Sequence, residues 1–296
     1  MNNVLVSIII PTYNDWKRLA VCINALSNQT FLSDRFEIIV VNNNSHDTIP
    51  SYLILPANAK IIAERTPGSY AARNAGLRIA GGEIIGFTDS DCIPDKDWIK
   101  NAVEYLSKNK NCSRIAGKIE IFFKSKTPNK AELYDKIFAF NQKGYVKDSG
   151  TSVTANLFTY KQVFENIGYF DEGLMSGGDF LWGIKAHKNG YKIDYVDNVT
   201  VNHSARENLK ELIKKERRVG GSQAFFLEKN NSMIINFLDF IKALKPHIGI
   251  LQWISYRKKD ISFKDKIYIF LLRQYLVSLR AYEKLKVQTG KKANRA

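Results

Sequence analysis

The chain has 296 residues, 45% of them hydrophobic, which supports a sizeable core in one large domain or in one domain plus an extension. No basic segment followed by an apolar one opens the chain and no uncharged apolar stretch reaches about 18 residues, so a signal peptide and an ordinary membrane-spanning helix are excluded as expectations. The net charge is +15, and the three cysteines, Cys22, Cys92 and Cys112, have no zinc spacing and cannot all pair, which predicts a reducing, cytoplasmic setting.

Val4–Ile10 is a β-branched run stopped at Pro11, the pattern of a buried strand. Asn14 or Asp15 can cap a helix over about 16–28, where Leu19, Cys22, Ile23 and Leu26 recur at helical spacing. Phe36–Val41 predicts a second strand, ended by Asn42-Asn43-Asn44-Ser45, and Lys60–Ala63 a short third. An Ala-rich helix over Ser69–Ala80 precedes a fourth strand over Glu83–Thr88. Strands alternating with helices predict a mostly parallel sheet, whose ligands bind beyond the carboxyl ends of the strands. Pro11-Thr12-Tyr13, Asn42-Asn43-Asn44 and Asp89-Ser90-Asp91 all fall on that rim. Ile115–Phe123 reads as a further strand, and 124–150 as a loop-helix insertion near the site. Short helices over Lys161–Ile167 and Asp179–Lys188, then strands over Lys192–Val196 and Val199–Asn202, complete this part. From Glu207 to about Leu285 the pattern is helical.

Four clusters carry chemistry. Asp89 and Asp91, two residues apart off a strand end, can converge on a divalent cation, and hard oxygen ligands suit magnesium or manganese; the same residues also suit a plain turn. Arg73, among small neighbours in Gly68–Gly76, can reach a phosphate or the ribose-base region, or lie on a surface. Asp179, after Gly177-Gly178, has the placement of a general base stabilised by a helix N-terminus and equally that of an N-cap. His203 is a candidate third metal ligand or a structural histidine.

These segments, in their order and spacing, resemble the family 2 glycosyltransferases, inverting nucleotide-sugar enzymes of the GT-A fold. The resemblance covers about residues 4–222. It rests on Val6–Asn14, Glu37–Asp47, the Ala-Ala-Arg-Asn-Ala-Gly block, Thr88–Asp91, Thr154-Ala155-Asn156, Gly168–Glu172 and Gly177-Gly178-Asp179. It implies an α/β, Rossmann-like central sheet in a catalytic domain over 1–203, with a nucleotide-sugar half to about residue 92 and an acceptor half beyond. It implies that Pro11, Thr12 and Tyr13 line the base pocket, and that Asn42, Asn43, Arg73, Asp89 and Ser90 bind the nucleotide-sugar. Asp91 would ligate the metal directly and Asp89 through its water shell, with His203 completing the site. Asp179 would deprotonate the acceptor hydroxyl. Asn156, Gly178, Trp182 and Arg206 are the candidates for acceptor or diphosphate contacts. Two departures stand out: Asn42 replaces the usual Asp after the second strand, and Gly178-Asp179 replaces the usual Glu-Asp pair.

The resemblance thus implies sugar transfer, by default from a UDP-sugar with Mn2+ or Mg2+, to a hydroxyl of a saccharide or glycolipid in surface polysaccharide synthesis. Two readings compete: transfer to a polyprenyl phosphate, which needs no hydroxyl-deprotonating base, and nucleotide or carbohydrate binding without catalysis. The charge is unevenly spread. Residues 1–203 hold 23 Lys+Arg against 21 Asp+Glu, and residues 204–296 hold 21 against 8. The basic helical extension over 204–296 seeks anions. Ile267, Ile269, Phe270, Leu271, Leu272, Tyr275, Leu276 and Leu279 form a broad apolar face near Lys264, Lys266, Arg273 and Arg280. Such a helix lies at an anionic membrane, here the inner face of the plasma membrane, or packs on the protein or a second copy. No nucleic-acid recognition motif is visible.

Overall fold

The structure, a computed structural model, describes residues 5–226 and 233–291. Val4 of the first predicted strand and 227–232 of the predicted helical tail lie outside them. The strands are β1 (Val6–Thr12), β2 (Phe36–Asn42), β3 (Ala59–Ala63), β4 (Ile84–Thr88), β5 (Cys92–Pro94), β6 (Arg114–Phe122), β7 (Asn156–Tyr160) and β8 (Ile193–Ser204). The helices are α1 (Trp16–Ser27), α2 (Ser69–Ile79), α3 (Trp98–Lys108), α4 (Lys130–Phe138), α5 (Gln142–Ser149), α6 (Lys161–Ile167), α7 (Gly178–Lys188), α8 (Leu209–Phe226), α9 (Met233–Leu244), α10 (Gly249–Arg257) and α11 (Phe263–Gln288). They divide between two compact units. One holds residues 5–120, 140–173 and 178–203, and the other 121–139, 174–177 and the described part of 204–291.

The eight strands form one sheet in the order β3-β2-β1-β4-β7-β6-β8-β5. The predicted parallel order holds for β3, β2, β1 and β4. Beyond β4 the sheet turns antiparallel, in the pairs β4–β7, β6–β7 and β5–β8. β1 and β4 are covered on both faces, which is why Ile8-Ile9-Ile10 and Ile84–Thr88 are apolar runs instead of alternating ones. Helix α2 is buried from Tyr70 to Leu77. Gly76 permits that approach: a Cβ there would stand 2.6 Å from Ile9 Cγ2. The two predicted late strands are one, β8.

The second unit has its own core. Leu133, Tyr134 and Ile137 of α4 pack with Leu212 of α8, Ile254 of α10, and Ile269, Leu272 and Leu276 of α11. The segment expected as one insertion, 124–150, is thereby divided: α4 belongs to this helical unit and α5 to the sheet unit. Asn129 starts α4 with a capping box, its side chain accepting from Ala131 N and Glu132 N while Glu132 returns a contact to Asn129 N. Buried Asp135 accepts two hydrogen bonds from Arg206 Nη1, at 2.9 and 3.1 Å, and one from Arg206 N.

Candidate functional site

The rim is built by register. Thr12 at the end of β1 lies opposite Asn42 at the end of β2, and Thr88 ends β4 on the other side of β1. Asp89, Ser90 and Asp91 follow directly. β5 then begins at Cys92, which pairs across to His203 on β8. That pairing brings His203 Nε2 to 3.3 Å from Asp91 Oδ2. The histidine is buried, with the Phe140 ring 4.9 Å away.

Among the described residues Asp91, Cys92 and His203 form a group whose ligand atoms lie within 4.8 Å of one another, close enough to hold a metal ion. In the metal-free site, burial pushes the Cys92 thiol well above its usual range, with the charges of Asp91 and Asp89 adding to the effect. The group offers one carboxylate oxygen, one imidazole nitrogen and one sulfur as donor atoms. Arg18 Nη1 also approaches Asp91 Oδ2, at 3.4 Å.

Asp89 behaves differently from Asp91. Arg73 Nη2 donates to its Oδ1 at 2.5 Å. Burial, followed by the negative charge of Asp91, raises the Asp89 carboxyl above its ordinary value, while Arg73 and His203 oppose the rise. Arg73 is itself buried in α2, so its charge points at the rim instead of lying on a surface. Thr12 Oγ1 is buried without a hydrogen-bond partner among the described residues, as is Arg73 Nε. Orphaned polar atoms of this kind fit a site that receives a polar ligand. Tyr13 is half exposed, and its hydroxyl lies 3.1 Å from His46 Nε2.

Asp179 opens α7, and its carboxylate is buried. Tyr70 Oη donates to Oδ1 at 2.9 Å, Phe180 N to Oδ1 at 3.0 Å, and Thr154 N to Oδ2 at 3.2 Å.

Several other candidates have partners within the protein. The Asn43 amide is engaged by backbone: its Nδ2 donates to Glu64 O and Thr66 O, and its Oδ1 accepts from Gly68 N. It holds the loop before α2, which leaves Asn42 as the amide nearer the rim, with Oδ1 accepting from Ser45 N. Ser90 Oγ donates to Asp15 Oδ2 at 2.7 Å. Asp15 precedes α1 without capping it by its side chain, because that carboxylate binds Ser90 and Arg18. Asn156 has a structural part in the sheet unit. It is fully buried, accepts from Trp98 Nε1, and donates to Lys118 O and Val199 O. Trp182 is likewise a core residue, stacked on Phe164 with centroids 4.2 Å apart and donating Nε1–H to Gly168 O. Arg206 is committed to Asp135 within the helical unit. Pro11 is the half-buried penultimate residue of β1.

A model of the family described as glycosyl transferase family 2 matches residues 7–167, more than half of the chain. The chain belongs to glycosyl transferase family 2. The glycosyltransferase AglE of Haloferax volcanii is 34% identical over 226 residues, 74% of this chain and 72% of that one. A Methanococcus voltae enzyme named for transfer of a diacetamido-dideoxy-glucuronosyl group to dolichyl N-acetylglucosaminyl phosphate is 25% identical over 249 residues, 79% of this chain and 78% of its own. Among solved structures, Staphylococcus aureus TarS in complex with UDP-GlcNAc aligns with a TM-score of 0.54 at 19% identity, covering 97% of this chain and 93% of that one. The mannosyltransferase PcManGT of Pyrobaculum calidifontis, in complex with GDP-Man and Mn2+, aligns with a TM-score of 0.56 at 18% identity, covering 98% and 76%. These two likenesses establish the GT-A fold.

Four residues of this glycosyltransferase's rim escape sequence reasoning: Asp15, Arg18, Tyr70 and Cys92. Arg18 and Cys92 carry no local signal, since each acquires its role from a partner on another element. Tyr70 had one. The glycine at 178 leaves a space that the Tyr70 ring occupies, 2.9 Å from where a Cβ would stand.

Proposed function

We propose that this family 2 glycosyltransferase moves a sugar from a nucleoside-diphosphate sugar, UDP-linked by default, to a hydroxyl of a saccharide or glycolipid, with inversion, in surface polysaccharide or glycolipid synthesis. The observation that carries the reading is the buried Asp179 carboxylate, held by Tyr70 and Thr154 in the same unit as the Asp91–His203 pair. Asp91 and His203 would hold Mn2+ or Mg2+, which when bound supplies Lewis-acid stabilisation of the charge on the diphosphate. Asp89, with Arg73 beside it, would contact the ribose and the cation's water shell. Asp179 accepts the proton of the acceptor hydroxyl as that oxygen bonds to the anomeric carbon. The carbon–oxygen bond to the diphosphate breaks in the same displacement, its electron pair leaving with the phosphate oxygen, and attack from the opposite face inverts the centre. No enzyme-bound sugar is needed.

The relative named for a dolichyl-phosphate-linked sugar supports a glycolipid acceptor over a soluble saccharide. The test is nucleotide release from UDP-GlcNAc and GDP-mannose with Mn2+, with and without candidate lipid-linked sugars. Asp91→Ala and Asp179→Asn are each expected to abolish transfer, while Asp179→Asn still binds UDP with Mn2+. Turnover near wild type in Asp179→Asn would remove the base assignment and favour a polyprenyl-phosphate acceptor.

The basic helical unit supports peripheral association with an anionic membrane. Tyr268, Leu271, Tyr275 and Tyr282 form an exposed stripe along one side of α11, with Phe263 and Lys264 exposed at its start. Tyrosines with apolar rings and polar tips suit a headgroup interface. Sedimentation with phosphatidylglycerol vesicles at low salt is the test. Absence of binding there, with dimers seen by analytical ultracentrifugation, would assign the stripe to a second copy of the chain.

A further inference from the structure

We propose that Tyr70 is the positioning residue for Asp179, and that Gly178 is a glycine because the Tyr70 ring occupies the space of any larger side chain. The inference rests on the reading of Asp179 as the general base. Tyr70 lies in the first turn of α2 and is 4% exposed. Its ring is braced by Phe170, with centroids 5.5 Å apart, and by the Arg73 guanidinium 5.6 Å from the ring centre. Burial, then the neighbouring Asp179 charge, pushes the phenol above its ordinary range, so the hydroxyl keeps its proton and remains a donor.

Counting lone pairs gives the hydrogen bond a direction. A carboxylate offers about four acceptor positions, two on each oxygen. On Asp179, Oδ1 takes both Tyr70 Oη–H and Phe180 N–H, and Oδ2 takes only Thr154 N–H. Oδ1 is filled, which leaves Oδ2 to receive the acceptor's proton. Without the phenol, Oδ1 regains an open position and competes with Oδ2 for the proton, and only the Phe180 and Thr154 amides orient the carboxylate.

Gly178 completes the device. A Cβ at this position would lie 2.9 Å from both Cδ2 and Cε2 of Tyr70, and 3.1 Å from Cζ. Even alanine displaces the ring and with it the hydroxyl. In this packing a tyrosine at 70 and any side chain at 178 exclude each other.

The experiment compares Tyr70→Phe, Tyr70→Ala, Gly178→Ala, the Tyr70→Ala/Gly178→Ala double variant and Asp179→Asn. Each is assayed for nucleotide release from UDP-GlcNAc and GDP-mannose with Mn2+, for UDP affinity by calorimetry, and for thermal unfolding. Tyr70→Phe is expected to lower kcat roughly ten- to hundredfold, the loss of one charge-assisted hydrogen bond, with donor KM, UDP affinity and Tm near wild type. Gly178→Ala is expected to lower both kcat and Tm in the wild-type background and neither further in Tyr70→Ala. Wild-type kcat in Tyr70→Phe beside a dead Asp179→Asn would overturn the positioning role and leave the base standing. Wild-type kcat in Asp179→Asn would overturn the base, and the positioning role with it. Equal loss of Tm from Gly178→Ala in both backgrounds, read without any donor, would overturn the steric half.

Discussion

At the scale of single residues, two polar candidates differ in burial and in what holds them. Asn156 sits inside the sheet, where Gly117 makes room for it: a Cβ on Gly117 would lie 2.4 Å from the Asn156 amide nitrogen. Its three side-chain hydrogen bonds join Trp98 on α3, Lys118 on β6 and Val199 on β8. Asn156→Ala orphans all three partners and is expected to cost about 3 kcal/mol of stability, read as a lower denaturation midpoint, with UDP affinity of the folded fraction unchanged. Arg114 is a second buried anchor, donating to Gly150 O, Gly183 O and Tyr191 O. Asp91 is the opposite case. It is part-exposed at a strand end, so Asp91→Ala is expected to leave the midpoint nearly unchanged while abolishing turnover. Asn156 does not show its buried place in local sequence, because an asparagine after a small residue reads alike in a core knot and in a binding loop.

At the scale of elements, α11 shows why apolar content alone misplaces a surface. Ile269, Leu272 and Leu276 are buried against α4, α8 and α10. Of the cations expected beside them on a membrane face, Arg273 lies over the Phe138 ring and Arg280 binds Glu216. The expected broad face is therefore two faces: an inner aliphatic one and an outer one carrying Tyr268, Leu271, Tyr275 and Tyr282. Tyr275→Ser with Leu271→Ser is expected to weaken vesicle binding severalfold without lowering Tm, and an unchanged affinity would remove the stripe from consideration. Helix α8 makes a pH prediction. Burial, then the nearby Arg206 charge, lowers the Lys215 pKa to about 8, against the opposing pull of Asp135. The folded chain releases this proton near pH 8 while the unfolded chain keeps it to about pH 10.4. Between these values the unfolded state binds more protons, so stability rises with pH across that window. Melting curves of wild type and Lys215→Met from pH 7 to 10 should show wild type gaining on the variant; a constant difference would refute this.

At the scale of the whole molecule, the Asp91–His203 contact joins the segment after β4 to the far strand β8, so a ligand bound there should stabilise the sheet unit as a body. Mn2+ with UDP at about a hundred times the dissociation constant is expected to add about 2.7 kcal/mol. The resulting rise in Tm should vanish with EDTA and in His203→Ala. Much of this was legible in the chain. The apolar runs at 6–10, 36–41 and 84–88 identify strands buried on both faces, because only such strands lose their alternation. The polar clusters that stop them mark the rim, since a chain leaving a sheet must satisfy its own backbone there. Pairings between distant segments were not legible in local sequence, and the family resemblance alone set Asp91 and His203 in one site. His203 reaches Asp91 only because β5 and β8 pair antiparallel, and Tyr70 reaches Asp179 only because α2 and α7 approach across a glycine. The antiparallel half of the sheet and the recruitment of α4 into the helical unit have the same origin. Local sequence determined which residues are buried, which turn and which carry charge, for those follow from solvation and backbone preference over a few residues. The tertiary structure alone decided which carboxylate meets which donor, because hydrogen bonds and ion pairs act over about 3 Å and depend on packing that no single segment contains.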